Sequence, residues 1–154
     1  MERTLSETAE RKVARSYRYL QALSNNFVAD NSFEKKFRLL SASDFSELKV
    51  GSSSYKKASL IIYYKKNSFN QSRIGLSVPK KIGKSHDRNR LKRLMREFFR
   101  TSEYKFLGYD ILLVVSWSRN LIPEAADIKE AMLLKNLNEF FHYLNDEKAR
   151  ATLK

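Results

Sequence analysis

The sequence predicts an α+β fold, a two-layer α/β sandwich on a four-stranded mixed sheet. Three observations carry this. Segments between Tyr55 and Val78 alternate their apolar residues with the period of strands. Ile111-Leu112-Leu113-Val114-Val115 is an unbroken apolar run, the pattern of a central strand covered on both faces. The segments flanking that run, Ser85 to Arg100 and Leu133 to Leu144, carry the helical apolar period instead.

The elements follow in chain order. Residues 1–32 form a basic N-terminal extension, helical or mobile. Ser6 to Leu23 offers a thin stripe of Val13, Tyr17 and Leu20, and Asn25-Asn26 would end it. Residues 33–146 are the expected folded domain and 147–154 a polar tail. Ser41-Ala42-Ser43-Asp44 reads as a capping-box start. A short helix then runs through Phe45, Leu48 and Val50 to a stop at Gly51. Tyr55 to Tyr64 reads as one strand, with Ile61 and Tyr63 on one face and Leu60, Ile62 and Tyr64 on the other. Arg73 to Val78 is a second strand, and Tyr109 to Trp117 follows the basic helix. A helix between two strands makes a crossover, so those strands should be parallel. Pro123 suits a helix start, and Leu133, Leu137, Phe140, Phe141 and Leu144 give the last helix its apolar face.

Composition narrows the function. The chain has 154 residues and a formal net charge of +13, which calls for an acidic partner. Ten Phe and eight Tyr are enough for a real core in one domain. No apolar run approaches the roughly 18 residues of a membrane span, and no secretory signal is visible. The absence of Cys excludes disulfides, thiolate catalysis and Cys-ligated zinc, and fits a cytoplasmic protein.

The charge is concentrated. Residues 80–100 hold nine Lys and Arg against two acidic residues, a net +7 in 21 residues. Leu91, Leu94, Met95, Phe98 and Phe99 form one core-facing arc. Arg88, Lys92, Arg96 and Arg100 form a row spaced by four, with Asn89 and Arg93 beside it. Like charges in such a row repel by a few tenths of a kcal/mol per pair, a cost that a phosphate backbone reverses. Ser85 or Asp87 is available as N-cap, and Gly83 allows a tight entry turn.

Catalytic chemistry is not evident. His86 and His142 are the only histidines and have no metal-ligand spacing. No acidic cluster stands near the basic helix to hold Mg²⁺. The four glycines form no phosphate-cradling loop. No catalytic residue and no metal ligand is therefore assigned to the protein, which reads as an RNA-binding component.

Ser77-Val78-Pro79-Lys80-Lys81-Ile82-Gly83, Arg88-Asn89-Arg90, Lys92-Arg93, Arg96-Glu97 and Arg100 together resemble the signature of the bacterial ribonuclease P protein subunit. The spacing matches without a gap, and the likeness spans roughly residues 37 to 145. It implies a left-handed crossover, although general chirality would favour a right-handed one. It implies that the RNA subunit, with Mg²⁺, hydrolyses precursor tRNA at the 5′ end of the mature sequence. The protein would bind that catalytic RNA and hold the 5′ leader, without membrane or obligate protein partner. Residue by residue, Lys80, Lys81, Lys84, Arg88, Asn89, Arg90, Lys92, Arg93, Arg96 and Arg100 would face the catalytic RNA. Glu97 would pair with a neighbouring cation. Phe45 and Tyr63, with Ile61 and Ser77, would line the leader cleft. Stacking aromatics and cationic walls suit single-stranded RNA. Three departures stand out: Pro79 in place of a small hydroxyl residue, the polar loop Ser85-His86-Asp87, and Leu48 or Lys49 where a second helix aromatic is often found.

Two other readings compete. One is a ribosomal or ribosome-assembly RNA-binding protein with no nuclease role. The other is a DNA-binding regulator with the basic helix in the major groove, disfavoured because no helix-turn-helix pair is evident.

Overall fold

A computed structural model of the chain describes residues 33–117 and 122–152. The N-terminal extension predicted for residues 1–32 lies outside them. Among the described residues three α-helices and four strands follow one another: α1 (Ala42–Gly51), β1 (Ser53–Lys57), β2 (Leu60–Lys66), β3 (Arg73–Ser77), α2 (Ser85–Thr101), β4 (Tyr109–Val115) and α3 (Ala126–Thr152). The sheet order is β1-β2-β4-β3. β4 pairs antiparallel with β2 and parallel with β3, so the sheet is mixed and α2 is the crossover. The fold class is the one predicted.

Local chemistry explains the starts and stops. The Asp44 amide donates to Ser41 Oγ at 3.0 Å, and the Ser41 amide donates back to the Asp44 carboxylate, completing the expected capping box. β4 sits between β2 and β3, which is why Ile111, Leu112, Leu113 and Val115 are all buried.

Four expectations change. Tyr55–Tyr64 is not one strand: Ala58-Ser59 turns it into the β1–β2 hairpin. That turn lacks the usual Gly or Asn, and tertiary contact holds it. Ser59 is buried, accepts from the Asn136 side chain, and its carbonyl accepts from the Ser116 amide at 2.9 Å. Neither Ser85 nor Asp87 caps α2; Lys84 occupies that position without a side-chain bond. Asp87 lies in the first turn, where the helix dipole favours a carboxylate. Pro123 precedes α3 by three residues, and the tail predicted after Asp146 is helical through Thr152.

The strand alternation divides the interior in two. On one face Leu60, Ile62, Tyr64, Ile74, Ile111, Leu113 and Val115 pack against α2 and α3. Leu91, Met95 and Phe99 from α2 meet Leu133, Leu137, Phe140, Phe141 and Leu144 from α3 there. Tyr104 stacks on Phe141 with ring centroids 4.8 Å apart and a tilt of 11°. Each such side chain contributes about 1.5–3 kcal/mol by leaving water. On the other face only Leu39, Leu48 and Leu112 are buried together, with Phe45, Tyr63 and Val114 partly covered. That second face is the one α1 overlies.

Candidate nucleic-acid interface

The basic helix is anchored from below. Leu91, Met95 and Phe99 recur every four residues and are buried, so the opposite side of α2 is fixed towards solvent. Asn89, Arg93 and Arg96 are exposed, while Arg88 and Lys92 lie partly buried on the flank. Arg88, Lys92 and Arg96 therefore form a continuous cationic edge with Asn89 beside it. Arg90 does not join them. It is two residues from Arg88 and from Lys92, about 200° around the axis from each, and it ion-pairs with Glu130 of α3. Arg100 pairs with Glu97, as expected for that glutamate. His86 is exposed, with Nε2 at 3.1 Å from the Asp87 carboxylate.

A single 3-10 turn, Lys80–Ile82, joins β3 to this helix. Ile82 is buried and pins the turn, leaving Lys80 and Lys81 exposed beside it. The Ile82 amide donates to the Pro79 carbonyl at 3.1 Å, so Pro79, which ends the strand ladder, also starts the turn. Lys84 is exposed one residue before α2.

The second surface lies on the α1 face of the sheet. Strand register gives its layout in rows. Lys56, Ile61, Val114 and Ser77 face one another across β1-β2-β4-β3. Ser54, Tyr63, Leu112 and Gly75 form the next row, and Lys65, Asp110 and Arg73 the third. The predicted quartet of Phe45, Tyr63, Ile61 and Ser77 thus shares one face. The Phe45 ring rests on Gly75 and Leu112: a Cβ at Gly75 would lie 2.9 Å from the ring. Glycine is required there because an aromatic helix residue sits directly on the strand backbone. Of Leu48 and Lys49, the two candidates for the second aromatic position, Leu48 is buried as an apolar plug and Lys49 is exposed. Tyr63, Ile61, Val114 and Ser77 stay partly exposed, so α1 covers one end of the face and leaves the other open.

Lys56 and Val114 belong to this open row but were not predicted. Nothing local marks them; cross-strand register alone puts them beside Ile61 and Ser77. Arg73 and Asp110 were missed as well. Arg73 donates to Asp110 at 2.8 and 2.6 Å, and Asn67 donates to the same carboxylate at 2.8 Å. Burial pushes the Asp110 carboxyl up, but these bonds and the Arg73 charge hold it below its ordinary value. Among the described residues no group of three or more His, Cys, Asp or Glu is placed to hold a metal ion. No helix among them is long and apolar enough to cross a membrane.

Residues 33–145 match the family model for Ribonuclease P. The chain belongs to the ribonuclease P protein family. It is 35% identical over 116 residues to the ribonuclease P protein component of Blochmanniella floridana, covering 75% of this chain and 93% of that one. It is 39% identical over 106 residues to the component from Alkaliphilus oremlandii, covering 66% and 90%. The solved RNase P protein from Staphylococcus aureus is similar in fold, with a TM-score of 0.53, 27% identity, and coverage of 76% and 93%. That from Thermotoga maritima gives a TM-score of 0.52, 28% identity, and coverage of 66% and 96%. A ribonuclease P protein is the protein subunit of a tRNA-processing endoribonuclease whose catalysis lies in its RNA.

Proposed function

We propose that this chain, as the protein component of ribonuclease P, grips two RNAs with two separate surfaces. The cationic edge of Arg88, Lys92 and Arg96, with Asn89, Arg93 and the Lys80, Lys81 and Lys84 turn, binds the catalytic RNA. Arg forks match phosphate oxygens, and Asn reaches phosphate and 2′-OH groups. The open row of Lys56, Ile61, Val114 and Ser77 beside Tyr63 holds the 5′ leader of precursor tRNA. Bases stack there on an aromatic that a strand holds rigid, with cations nearby to follow the backbone. The observation that carries this reading is the unequal cover of the two sheet faces. One is fully packed, and the other exposes a flat aromatic-apolar row that a merely structural sheet would bury.

The protein's part is electrostatic and geometric. Its positive charge lies between two polyanions and lowers their repulsion, so less free cation is needed to bring them together. Mg²⁺, held by the RNA subunit, supplies the hydrolytic chemistry. The setting is the cytoplasm.

The test is cleavage of a 5′-extended precursor tRNA by the cognate catalytic RNA at low Mg²⁺, with and without the protein. Cleavage that requires the protein is expected. Intact RNA binding without stimulation would remove the ribonuclease P assignment of these surfaces.

A further inference from the structure

The α1 face carries a second concave site, at the end away from Lys80. A cavity of about 330 Å³ opens between the segment before α1 and the β2–β3 loop, lined by Lys35, Lys36, Arg38, Leu40, Phe69 and Arg73 among others. It has room for one nucleobase and its sugar. Phe69 is 51% exposed and Leu40 68% exposed, so two large apolar side chains stand in water beside a cluster of cations.

The exposure of Phe69 is not a product of a slack loop. Asn67 Oδ1 accepts from the Phe69 amide at 3.0 Å, while Asn67 Nδ2 donates to the Gln71 carbonyl and to Asp110. Gly108 has a φ of 80°, and a Cβ there would lie 2.9 Å from the Phe69 carbonyl oxygen, so the loop backbone is seated against the start of β4. The Arg73 guanidinium lies 5.2 Å from the Phe69 ring centroid while paired to Asp110, which sets the ring's orientation. Positive charge for a ligand comes from the other wall. Lys35 makes no ion pair among the described residues, Lys36 pairs with the exposed Glu34, and Arg38 donates to a backbone carbonyl. A fixed, half-exposed ring beside three such cations is the arrangement that single-stranded nucleic acid requires.

Arg73 shares its sheet face with Gly75 and Ser77 and lies four residues from Ser77, about 13 Å along the strand. A strand of RNA crossing the Tyr63 row therefore reaches the groove within a few nucleotides. We propose that this groove is a distal subsite for single-stranded RNA, taking leader nucleotides farther from the cleavage site than those on Tyr63. The inference rests on the leader reading above.

The experiment measures affinity of the holoenzyme for precursor tRNAs with leaders of about 4 and about 12 nucleotides. Phe69→Ala, Lys35→Glu and Tyr63→Ala are compared with the unsubstituted protein. Phe69 and Lys35 are exposed, so their replacement leaves the core intact. Longer leaders should bind more tightly to the unsubstituted holoenzyme. Phe69→Ala and Lys35→Glu should each cost roughly tenfold on the long leader and nothing on the short one. Tyr63→Ala should weaken both. No gain with leader length, or equal effects of Phe69→Ala on both substrates, overturns the distal subsite. Loss on both leaders from Tyr63→Ala with none from Phe69→Ala or Lys35→Glu removes the subsite and keeps the cleft. No effect of Tyr63→Ala on either leader removes the leader reading itself.

Discussion

Ile62 and Tyr63 are neighbours on β2, yet one is fully buried under α3 and the other stands partly open beside α1. The division is sharpest along β2, where Leu60, Ile62 and Tyr64 are buried and Ile61 and Tyr63 stay partly exposed. The face under α2 and α3 buries a continuous set of aromatic and aliphatic side chains, whereas the face under α1 buries three leucines together. α1 rests through Phe45 on Gly75 and Leu112, and Ile61, Val114 and Ser77 in the next row stay partly exposed. On the proposed reading, stability and recognition occupy alternate residues of β2. A substitution's effect follows from which way its side chain points, more than from where it falls in the chain.

The largest test of that division is Phe99→Ala. The side chain is 1% exposed and meets Phe33, Phe37 and Phe141. Denaturant melts should show a loss of about 3–5 kcal/mol. A loss below 1 kcal/mol would show that the covered face does not carry the fold.

Gly75→Ala strikes the other face. The new methyl meets the Phe45 ring, which must shift from its seat on the strand. A cost of about 1–3 kcal/mol is expected, with weaker precursor binding. Adding Phe45→Leu should make the pair less than additive, because both act through one contact.

Binding to the catalytic RNA sharpens the comparison within α2. Arg88→Ala and Lys92→Ala should each lower the slope of log affinity against log salt by about 0.7 to 0.9. Arg90→Ala, whose side chain is engaged with Glu130, should leave that slope unchanged and slightly loosen α2 on α3. A drop for Arg90→Ala as large as for Arg88→Ala would return Arg90 to the RNA-facing set.

The smallest effect concerns acid. Asp110 has a folded pKa below its unfolded value, so its contribution is present above the unfolded pKa and is lost as pH falls through the folded one. Solvent screening holds that contribution to about 1 kcal/mol or less. Melts of Asp110→Asn from pH 7 down to the acid limb should lose this part of the pH dependence; an unchanged acid limb would mean that the Arg73 pair adds nothing.

The sequence by itself determined the elements whose signals are local. The capping box at Ser41, the alternation of Ile61 and Tyr63 against Leu60 and Ile62, the unbroken run at Ile111–Val115 and the arc beneath the Arg-Asn-Arg helix all depend on neighbours within a few residues. Side-chain period and charge are written there directly. The family signature is local in the same way, which is why most of the basic face was legible. Tertiary structure alone decided what depends on partners far along the chain. The Ala58-Ser59 turn is held by Asn136 and Ser116, and Arg90 is paired with Glu130 forty residues on. Lys56 and Val114 enter the open row, and Phe69 joins Lys35, through pairings that no local pattern encodes. Periodicity fixes which side of an element is apolar; only packing and register fix what stands opposite.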